Sequence, residues 1–253
     1  MSNDAWEALR RSTQARIALG RAGNALPTAA VLEFQLAHAR ARDAIHRPWD
    51  IASFARAVEA RGLAAVIIST RVGSRIEYLK RPDLGRQLAD ESERRLPLRR
   101  DPSREVALLF TNGLSSTAMD RHGLALLDAL VESFAAAGLR FGPICLAENA
   151  RVALSDPVGA ALGARIAVIV VGERPGLSAD DSLGMYLTYD PSPGKTDAAR
   201  NCISNIRPPA GMSCEFAAQK LVYLARQALR LQLSGIGLKD DLPGRFLARD
   251  AGD

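Results

Sequence analysis

Cysteine and histidine are scarce in this chain of 253 residues, which contains three of each. The cysteines, Cys145, Cys202 and Cys214, lie far apart and show neither the spacing of a disulfide framework nor that of a zinc site. The histidines are scattered as well. The sequence therefore predicts neither a disulfide framework nor a metal ion held by protein side chains.

Long apolar runs and secretion signals are also missing. The longest apolar run, Ile166–Val171, has about a third of the residues that a membrane-spanning helix needs. Asp4 and Glu7 stand where a signal peptide would carry a basic and then an apolar region. We therefore expect no membrane partner and a location in the cytoplasm.

The common nucleotide-binding fingerprints are absent too. There is no GxGxxG or P-loop spacing, which argues against a stand-alone dehydrogenase or NTPase. Spacing indicates no acid–base or nucleophile–base pair, and Cys202 has no histidine near it in the sequence. The sequence thus predicts no catalytic residue, and a cofactor would have to carry any difficult chemistry.

The formal net charge is +5, and the basic excess is concentrated in residues 71–104, which contain ten basic and six acidic residues. Such a patch can bind nucleic acid, or it can form an arginine-rich subunit interface or a solvated helix face. No aromatic residues alternate with these arginines to stack bases. We therefore expect no nucleic-acid partner and favour an interface or a solvated face.

Residues 1–61 show helical periodicity and are predicted to form a small helical N-terminal region. An amphipathic first helix should end near Gly20 and Gly23. A long second helix should begin at Thr28, and a short third helix should follow Pro48.

Residues 62–253 alternate short apolar runs with helical stretches. This predicts a Rossmann-like, doubly wound α/β domain with a mostly parallel sheet, because continuous Val, Ile and Leu runs suit strands covered on both faces. The predicted strands are Leu63–Thr70, Val106–Thr111, Phe141–Ala147, Ile166–Val171 and Met185–Tyr189. The predicted helices are Pro82–Arg95, Thr117–Ala137, Pro157–Leu162 and Glu215–Leu233.

Residues 189–213 contain four prolines and two glycines and show little periodicity. We predict a long irregular segment with a functional role, since loops of this length are uncommon in compact domains. Its middle, Cys202–Ile206, is partly apolar, which argues against simple disorder.

In an open parallel sheet the ligand lies at the carboxyl ends of the strands, so the residues that follow each strand are the candidates. Asn112–Ser116 could present backbone N–H groups to a polar ligand, or could be an ordinary glycine turn with a serine N-cap. The turn Gly172–Leu177 holds Glu173 at the mouth of the sheet, where it could contact a ligand or form a surface turn with Arg174.

Six strings, spread in order over nearly the whole chain, carry a family resemblance. They are LRRSTQARIALGRAG (Leu9–Gly23), YLKRPDLGRQL (Tyr78–Leu88), NGLSSTA (Asn112–Ala118), VGERPGL (Val171–Leu177), NCISNI (Asn201–Ile206) and SGI (Ser234–Ile236). The most specific feature is GERPGL followed about twenty-five residues later by CISNI. In these strings the chain resembles the small, or light, subunit of ethanolamine ammonia-lyase.

The resemblance implies the conversion of ethanolamine to acetaldehyde and ammonia by radical chemistry, with adenosylcobalamin as cofactor. It implies a hetero-oligomer in which a large subunit forms the catalytic barrel. The small subunit, inactive alone, has a Rossmann-like domain that closes over the cobalamin at the subunit boundary. Carried over by position, the family's cobalamin contacts fall on Val152, Glu173 and Cys202. Glu173 would accept hydrogen bonds from the cofactor's peripheral amides, and the other two would supply backbone and packing contacts.

The chain departs from the family pattern at Asn112, where we expect an aspartate. Many relatives also carry an N-terminal extension associated with packaging, whereas this sequence begins almost directly at the first predicted helix. We therefore expect the protein in the cytoplasm, or in an ethanolamine-utilisation bacterial microcompartment that it enters through its partner. The alternative function is a non-enzymatic Rossmann-type module that binds a nucleotide or another small molecule.

Overall fold

A six-stranded sheet forms the centre of the computed structural model, which describes residues 6–101 and 103–242. The strands are β1 (Ala65–Ile68), β2 (Val106–Thr111), β3 (Phe141–Ala147), β4 (Ile166–Gly172), β5 (Leu183–Tyr189) and β6 (Arg200–Ile206). Their order is β1-β3-β2-β4-β5-β6; the first four strands are parallel, whereas the pairs β4–β5 and β5–β6 are antiparallel. The predicted α/β fold with a mostly parallel sheet is confirmed.

Helices cover both faces of the sheet. They are α1 (Glu7–Arg11), α2 (Thr28–His46), α3 (Ile51–Glu59), α4 (Arg75–Lys80), α5 (Asp90–Arg95), α6 (Ser116–Ala137), α7 (Ser155–Leu162) and α8 (Cys214–Leu231). Helices α3, α6 and α8 pack on one face, and α7 packs on the other. Because α6 follows β2 and α7 follows β3, the chain leaves these neighbouring strands towards opposite faces. This divergence opens a crevice at their carboxyl ends.

The two central strands, β2 and β4, are buried along their whole length. Their sequences, VALLFT and IAVIVVG, are rich in branched apolar side chains, which pack well on a sheet covered from both sides. Full burial of each large apolar side chain stabilises the fold by about 1.5–3 kcal/mol. The apolar runs therefore account for both the position and the stability of the sheet.

The first helix is shorter than predicted: α1 ends at Arg11, not near Gly20. Ser12 and Thr13 follow it and bond locally to the backbone. The Ser12 hydroxyl donates to a carbonyl one turn earlier, and the Thr13 hydroxyl accepts from an amide two residues later. Serine and threonine side chains thus offer the backbone an alternative to the helix, which physically explains the early end.

The second helix begins at Thr28 as predicted, and α3 follows Pro48 as predicted. Helix α2 lies on the surface, and among its residues only Ala44 is buried. Three of its large apolar side chains are exposed, namely Leu32, Phe34 and Leu36. The division of the chain into two domains near residue 61 stays a prediction.

The helix predicted for Pro82–Arg95 is wrong in its first half. The structure has a short 3-10 turn, Leu84–Arg86, and then α5, because Leu88 between them forms a bridge with Thr70 beyond the end of β1. This pairing requires extended backbone where the periodicity predicted a helix. Helix α4, with only six residues, was not predicted at all.

Residues 189–213, predicted to be irregular, contain strand β6. Ile203 and Ile206 both point into the core, although they are three positions apart. Between them Asn205 has φ of +61°, and the pairing with β5 shifts register at this point. Such a bulge breaks the alternation by which strands are recognised, which explains why the prediction was wrong.

Candidate ligand-binding cleft

A cleft of about 430 Å³ opens at the carboxyl ends of β3 and β4 and extends over one face of β5 and β6. It is lined by Tyr78, Leu114, Ala150, Arg151, Val152, Val171, Gly172, Glu173, Arg174, Tyr186 and Ser204. This is the edge of the sheet at which parallel α/β folds bind their ligands. Two of the three predicted site residues, Val152 and Glu173, therefore lie in one cleft.

The third predicted residue, Cys202, does not line the cleft itself but lies beside it. It is exposed on β6, directly opposite Tyr186 of β5, whose ring lines the cleft. Ser204, two residues further along β6, is exposed on the same face and reaches the cleft. The structure thus brings the three predicted residues into one neighbourhood, with Tyr186 between the cleft and the cysteine.

The backbone path after β4 holds Glu173 in place. Its N–H donates to the carbonyl of Ser182 at 2.9 Å. Its carboxylate accepts hydrogen bonds from the hydroxyls of Ser182 (2.6 Å) and Ser204 (2.5 Å) and from the N–H of Asn205 (3.3 Å). A carboxylate has about four acceptor positions, so one remains for a ligand. Glu173 is therefore held within the chain before any ligand arrives.

The cysteines are protonated thiols rather than nucleophiles. Although Cys202 is exposed as a residue, partial burial of its thiol raises the pKa of Cys202, and the hydrogen bond with Tyr186 only partly opposes this effect. Burial also raises the pKa of Cys145 to about 12 and that of Cys214 to about 11. Because the reactive form of cysteine is the thiolate, none of these residues is poised for nucleophilic attack at neutral pH.

Val152 begins a short 3-10 turn, Val152–Leu154, that follows β3. The turn is anchored by the preceding residue, since Arg151 donates its N–H to the carbonyl of Gly85 at 2.8 Å. The hydroxyl of Tyr78 donates to the carbonyl of Ala150 at 3.0 Å. The segment 84–88, which the sequence analysis placed in a helix, thus holds the backbone of Arg151, a residue that lines the cleft.

Asn112 lies beneath the cleft at the end of β2 and is almost fully buried. Its side-chain oxygen accepts from the N–H of Asn149 at 2.9 Å, and its amide nitrogen donates to the hydroxyl of Ser116 at 3.1 Å. The amide therefore joins the ends of β2 and β3 and the start of α6. Of the two interpretations of this turn, the N-cap is confirmed, because Ser115 caps α6 by accepting from the N–H of Ala118.

Three residues that the sequence analysis did not select also line the cleft: Tyr78, Arg151 and Tyr186. Tyr78 begins the string YLKRPDLGRQL, which carried the resemblance, and Arg151 directly precedes Val152, so the sequence could have suggested both. Tyr186 had no comparable signal, because its place beside Cys202 depends on the pairing of β5 with β6.

Two further features of the described residues concern metal ions and membranes. In residues 6–101 and 103–242 no group of three or more His, Cys, Asp or Glu side chains could hold a metal ion. No helix in the same part of the chain is both long enough and apolar enough to span a membrane. The cleft itself offers hydrogen-bonding groups, two arginines and aromatic surface, and its lining residues include no histidine or second carboxylate beside Glu173.

Fold and cleft together define an α/β protein with an open polar cleft at the carboxyl edge of its sheet. The model of the family "Ethanolamine ammonia-lyase light chain" matches residues 3–239. The chain is 51% identical to "Ethanolamine ammonia-lyase small subunit" from Azotobacter vinelandii, covering 96% of this chain and 94% of the relative. It is 49% identical to the protein of that name from Ralstonia nicotianae, covering 95% and 90%. The chain belongs to the ethanolamine ammonia-lyase small-subunit family, and it is thus a subunit of a lyase.

Proposed function

We propose that this chain is the small subunit of an adenosylcobalamin-dependent ethanolamine ammonia-lyase and supplies part of the cobalamin site at the boundary with a large catalytic subunit. The complex would convert ethanolamine to acetaldehyde and ammonia. The observation that carries the proposal is the convergence of Val152, Glu173 and Cys202 around one cleft, although they lie on three separate segments. We place the hetero-oligomer in the cytoplasm. The alternative location is a bacterial microcompartment, into which the large subunit would bring this chain.

The residues of the cleft fit a large ligand that carries amide groups on its rim. Glu173 keeps one acceptor position free after its three hydrogen bonds within the chain. Gly184 of β5 has no side chain where the carboxylate lies, so the carboxylate rests directly against the strand. This face of the sheet is accessible to a ligand, because Cys202 and Ser204 are exposed on it and Tyr186 is partly exposed. When bound, the cofactor supplies the radical chemistry.

In this proposal the chain binds and orients the cofactor. Glu173 would accept a hydrogen bond from a peripheral amide, Val152 would pack against the ligand's rim, and Cys202 would contact it as a neutral thiol. No acid–base pair lies among the residues of the cleft, so the reaction needs groups from the large subunit. The isolated chain should therefore release no acetaldehyde from ethanolamine and adenosylcobalamin, and release above background would contradict the need for the large subunit.

The test is Glu173→Gln in the complex reconstituted with the large subunit. Charge-assisted hydrogen bonds contribute about 1.5–3 kcal/mol, so the dissociation constant for adenosylcobalamin should rise roughly ten- to a hundredfold. Turnover at saturating cofactor should change less. Affinity is measured by spectral titration of the corrinoid, and stability by thermal melting.

Ser182→Ala is the matched control. It removes one hydrogen bond to the Glu173 carboxylate but keeps the carboxylate itself. Both variants should melt at lower temperature, whereas only Glu173→Gln should lose most of its cofactor affinity. Unchanged affinity in Glu173→Gln, or an equal loss in both variants, would make Glu173 a structural residue. A thermal shift with nucleotides and no corrinoid binding would favour the small-molecule module.

A further inference from the structure

Two arginines flank Tyr78 beside the cleft, and each has a buried N–H group without a hydrogen-bond partner among the described residues. These groups are Nη2 of Arg75 and Nε of Arg151. The guanidinium carbon of Arg75 lies 5.0 Å from the centre of the Tyr78 ring, and that of Arg151 lies 4.2 Å from it. Buried donors without partners are rare in folded proteins, so both guanidinium groups keep hydrogen-bonding capacity that the described residues do not use.

The bonds that these guanidinium groups do form are to neutral acceptors. Arg75 donates to the carbonyls of Ile45 and Gly113 and to the side-chain oxygen of Asn149. Arg151 donates to the carbonyl of Tyr78. Within residues 6–101 and 103–242, neither arginine forms an ion pair with a carboxylate. Two half-buried cations therefore share one aromatic ring without a contacting negative charge.

This arrangement is electrostatically unfavourable without a ligand. Burial lowers the pKa of Arg75, Tyr78 partly opposes this effect, and the nearby charge of Arg151 lowers the pKa further, with a smaller opposing effect from Glu148. Partly desolvated charges are costly unless an opposite charge or strong hydrogen bonds compensate them. A negative group placed near Arg151 would relieve both the desolvation and the mutual repulsion.

Arg151 is the member of the pair that lines the cleft, and Arg174 lines it as well. The only carboxylate among the lining residues is that of Glu173, which already accepts hydrogen bonds from Ser182, Ser204 and Asn205. The lining residues thus carry two positive charges and one negative charge. A ligand that is neutral throughout would leave this excess uncompensated.

We propose that Arg151, stacked on Tyr78 and assisted by Arg174, forms an anion subsite of the cleft that takes the phosphodiester group of the corrinoid. The inference rests on the proposed function, because it takes cobalamin as the ligand of this cleft. Stacking on the tyrosine ring orients the planar guanidinium before binding, and a guanidinium can present two parallel N–H donors to two phosphate oxygens. Arg75 acts from behind as a second positive charge and does not contact the ligand.

The experiment uses the complex reconstituted with the large subunit and three corrinoids: adenosylcobalamin, adenosylcobinamide phosphate and adenosylcobinamide. The last two differ in the phosphate group, which only the former carries. The variants are Arg151→Gln, Arg151→Lys and, as a matched control, Arg230→Gln on the exposed surface of α8. Dissociation constants are measured by spectral titration, and folding is checked by thermal melting.

Arg151→Gln should weaken binding of adenosylcobalamin and adenosylcobinamide phosphate roughly ten- to a hundredfold, the effect of losing one charge-assisted contact. Binding of adenosylcobinamide should be unchanged, Arg151→Lys should recover part of the loss, and Arg230→Gln should behave as wild type. An equal loss for all three corrinoids, or no loss for any, would overturn the anion subsite while the cofactor site stands. Failure of the wild-type complex to bind any corrinoid would overturn the proposed function and the subsite with it.

Discussion

The carboxylate of Glu173 lies where a side chain on Gly184 would have to be. A Cβ built on Gly184 would stand 2.7 Å from Oε1 of Glu173, closer than real Cβ atoms approach other atoms, and 3.2 Å from its Cγ, which is a tight contact. A side chain at this position would therefore displace the neighbouring glutamate, and the glycine serves no turn, since it lies within strand β5. A substitution at Gly184 can therefore displace the Glu173 carboxylate while Glu173 itself stays unchanged.

Gly184→Ala should weaken cofactor binding by moving the Glu173 carboxylate away from its three hydrogen-bond donors. We expect a several-fold rise in the dissociation constant for adenosylcobalamin in the reconstituted complex, and a small loss of stability, because a flexible side chain can shift. Gly142→Ala in β3 is the control, since a Cβ there would meet nothing within 4 Å. Wild-type affinity in Gly184→Ala would contradict a ligand-contacting role for the Glu173 carboxylate.

The buried ion pair of Asp156 and Arg200 should be among the contacts whose loss is most destabilising. Arg200 donates to both carboxylate oxygens of Asp156 at 2.7 and 2.8 Å, and both side chains are only 2% exposed. The pair joins α7 to the edge strand β6. Asp156→Asn would leave Arg200 buried without its charged partner, which costs about 3–5 kcal/mol. The free energy of unfolding in urea measures the loss.

Asp197→Asn is the control for that pair. Asp197 also contacts Arg200, at 3.5 Å, but its side chain is 89% exposed. Surface ion pairs contribute about 0–1 kcal/mol, so this variant should lie close to wild type. Similar losses for Asp156→Asn and Asp197→Asn would show that burial of the pair does not determine its contribution.

Asp181 should make the stability of the protein depend on pH in the acidic range. Burial disfavours its charged form, but hydrogen bonds from Arg121 and His122 outweigh burial and lower its pKa. Arg207 adds a second arginine, whose Nη1 lies 3.6 Å from Oδ1 of Asp181. Because the pKa is lower in the folded state, Asp181 stabilises the fold above its unfolded pKa of roughly 3.9, and this stabilisation disappears as pH falls through the folded pKa.

Asp181→Asn should accordingly reduce the free energy of unfolding at pH 7, and its difference from wild type should shrink between pH 4 and pH 3. Urea denaturation at these three pH values measures the effect. Asp90→Asn, which removes an exposed ion pair with Arg71, should cause little change at pH 7. A difference between Asp181→Asn and wild type that is the same at all three pH values would contradict the assigned electrostatic role.

Much of the sheet could be predicted from the sequence because its signal is local. The bounds of β2 and β3 were predicted as they are found, and α6 was predicted within one residue of its start. Each is a continuous apolar run or a long helical period, so neighbouring residues alone indicate the element. The same apolar runs placed Val152 after β3 and Glu173 after β4.

Only the tertiary structure decided which residues meet. Strand β6 exists because β5 offers it an unpaired edge, and its bulge at Asn205 hides the alternation that would have predicted it. The cleft joins Tyr78, Arg151 and Tyr186 from distant segments, and their proximity depends on strand order and on where the chain crosses the sheet. Local sequence determined most of the strands and helices and the family strings. The non-local pairing of those elements decided the charge and shape of the cleft, because contacts between distant segments arise only when the sheet is assembled.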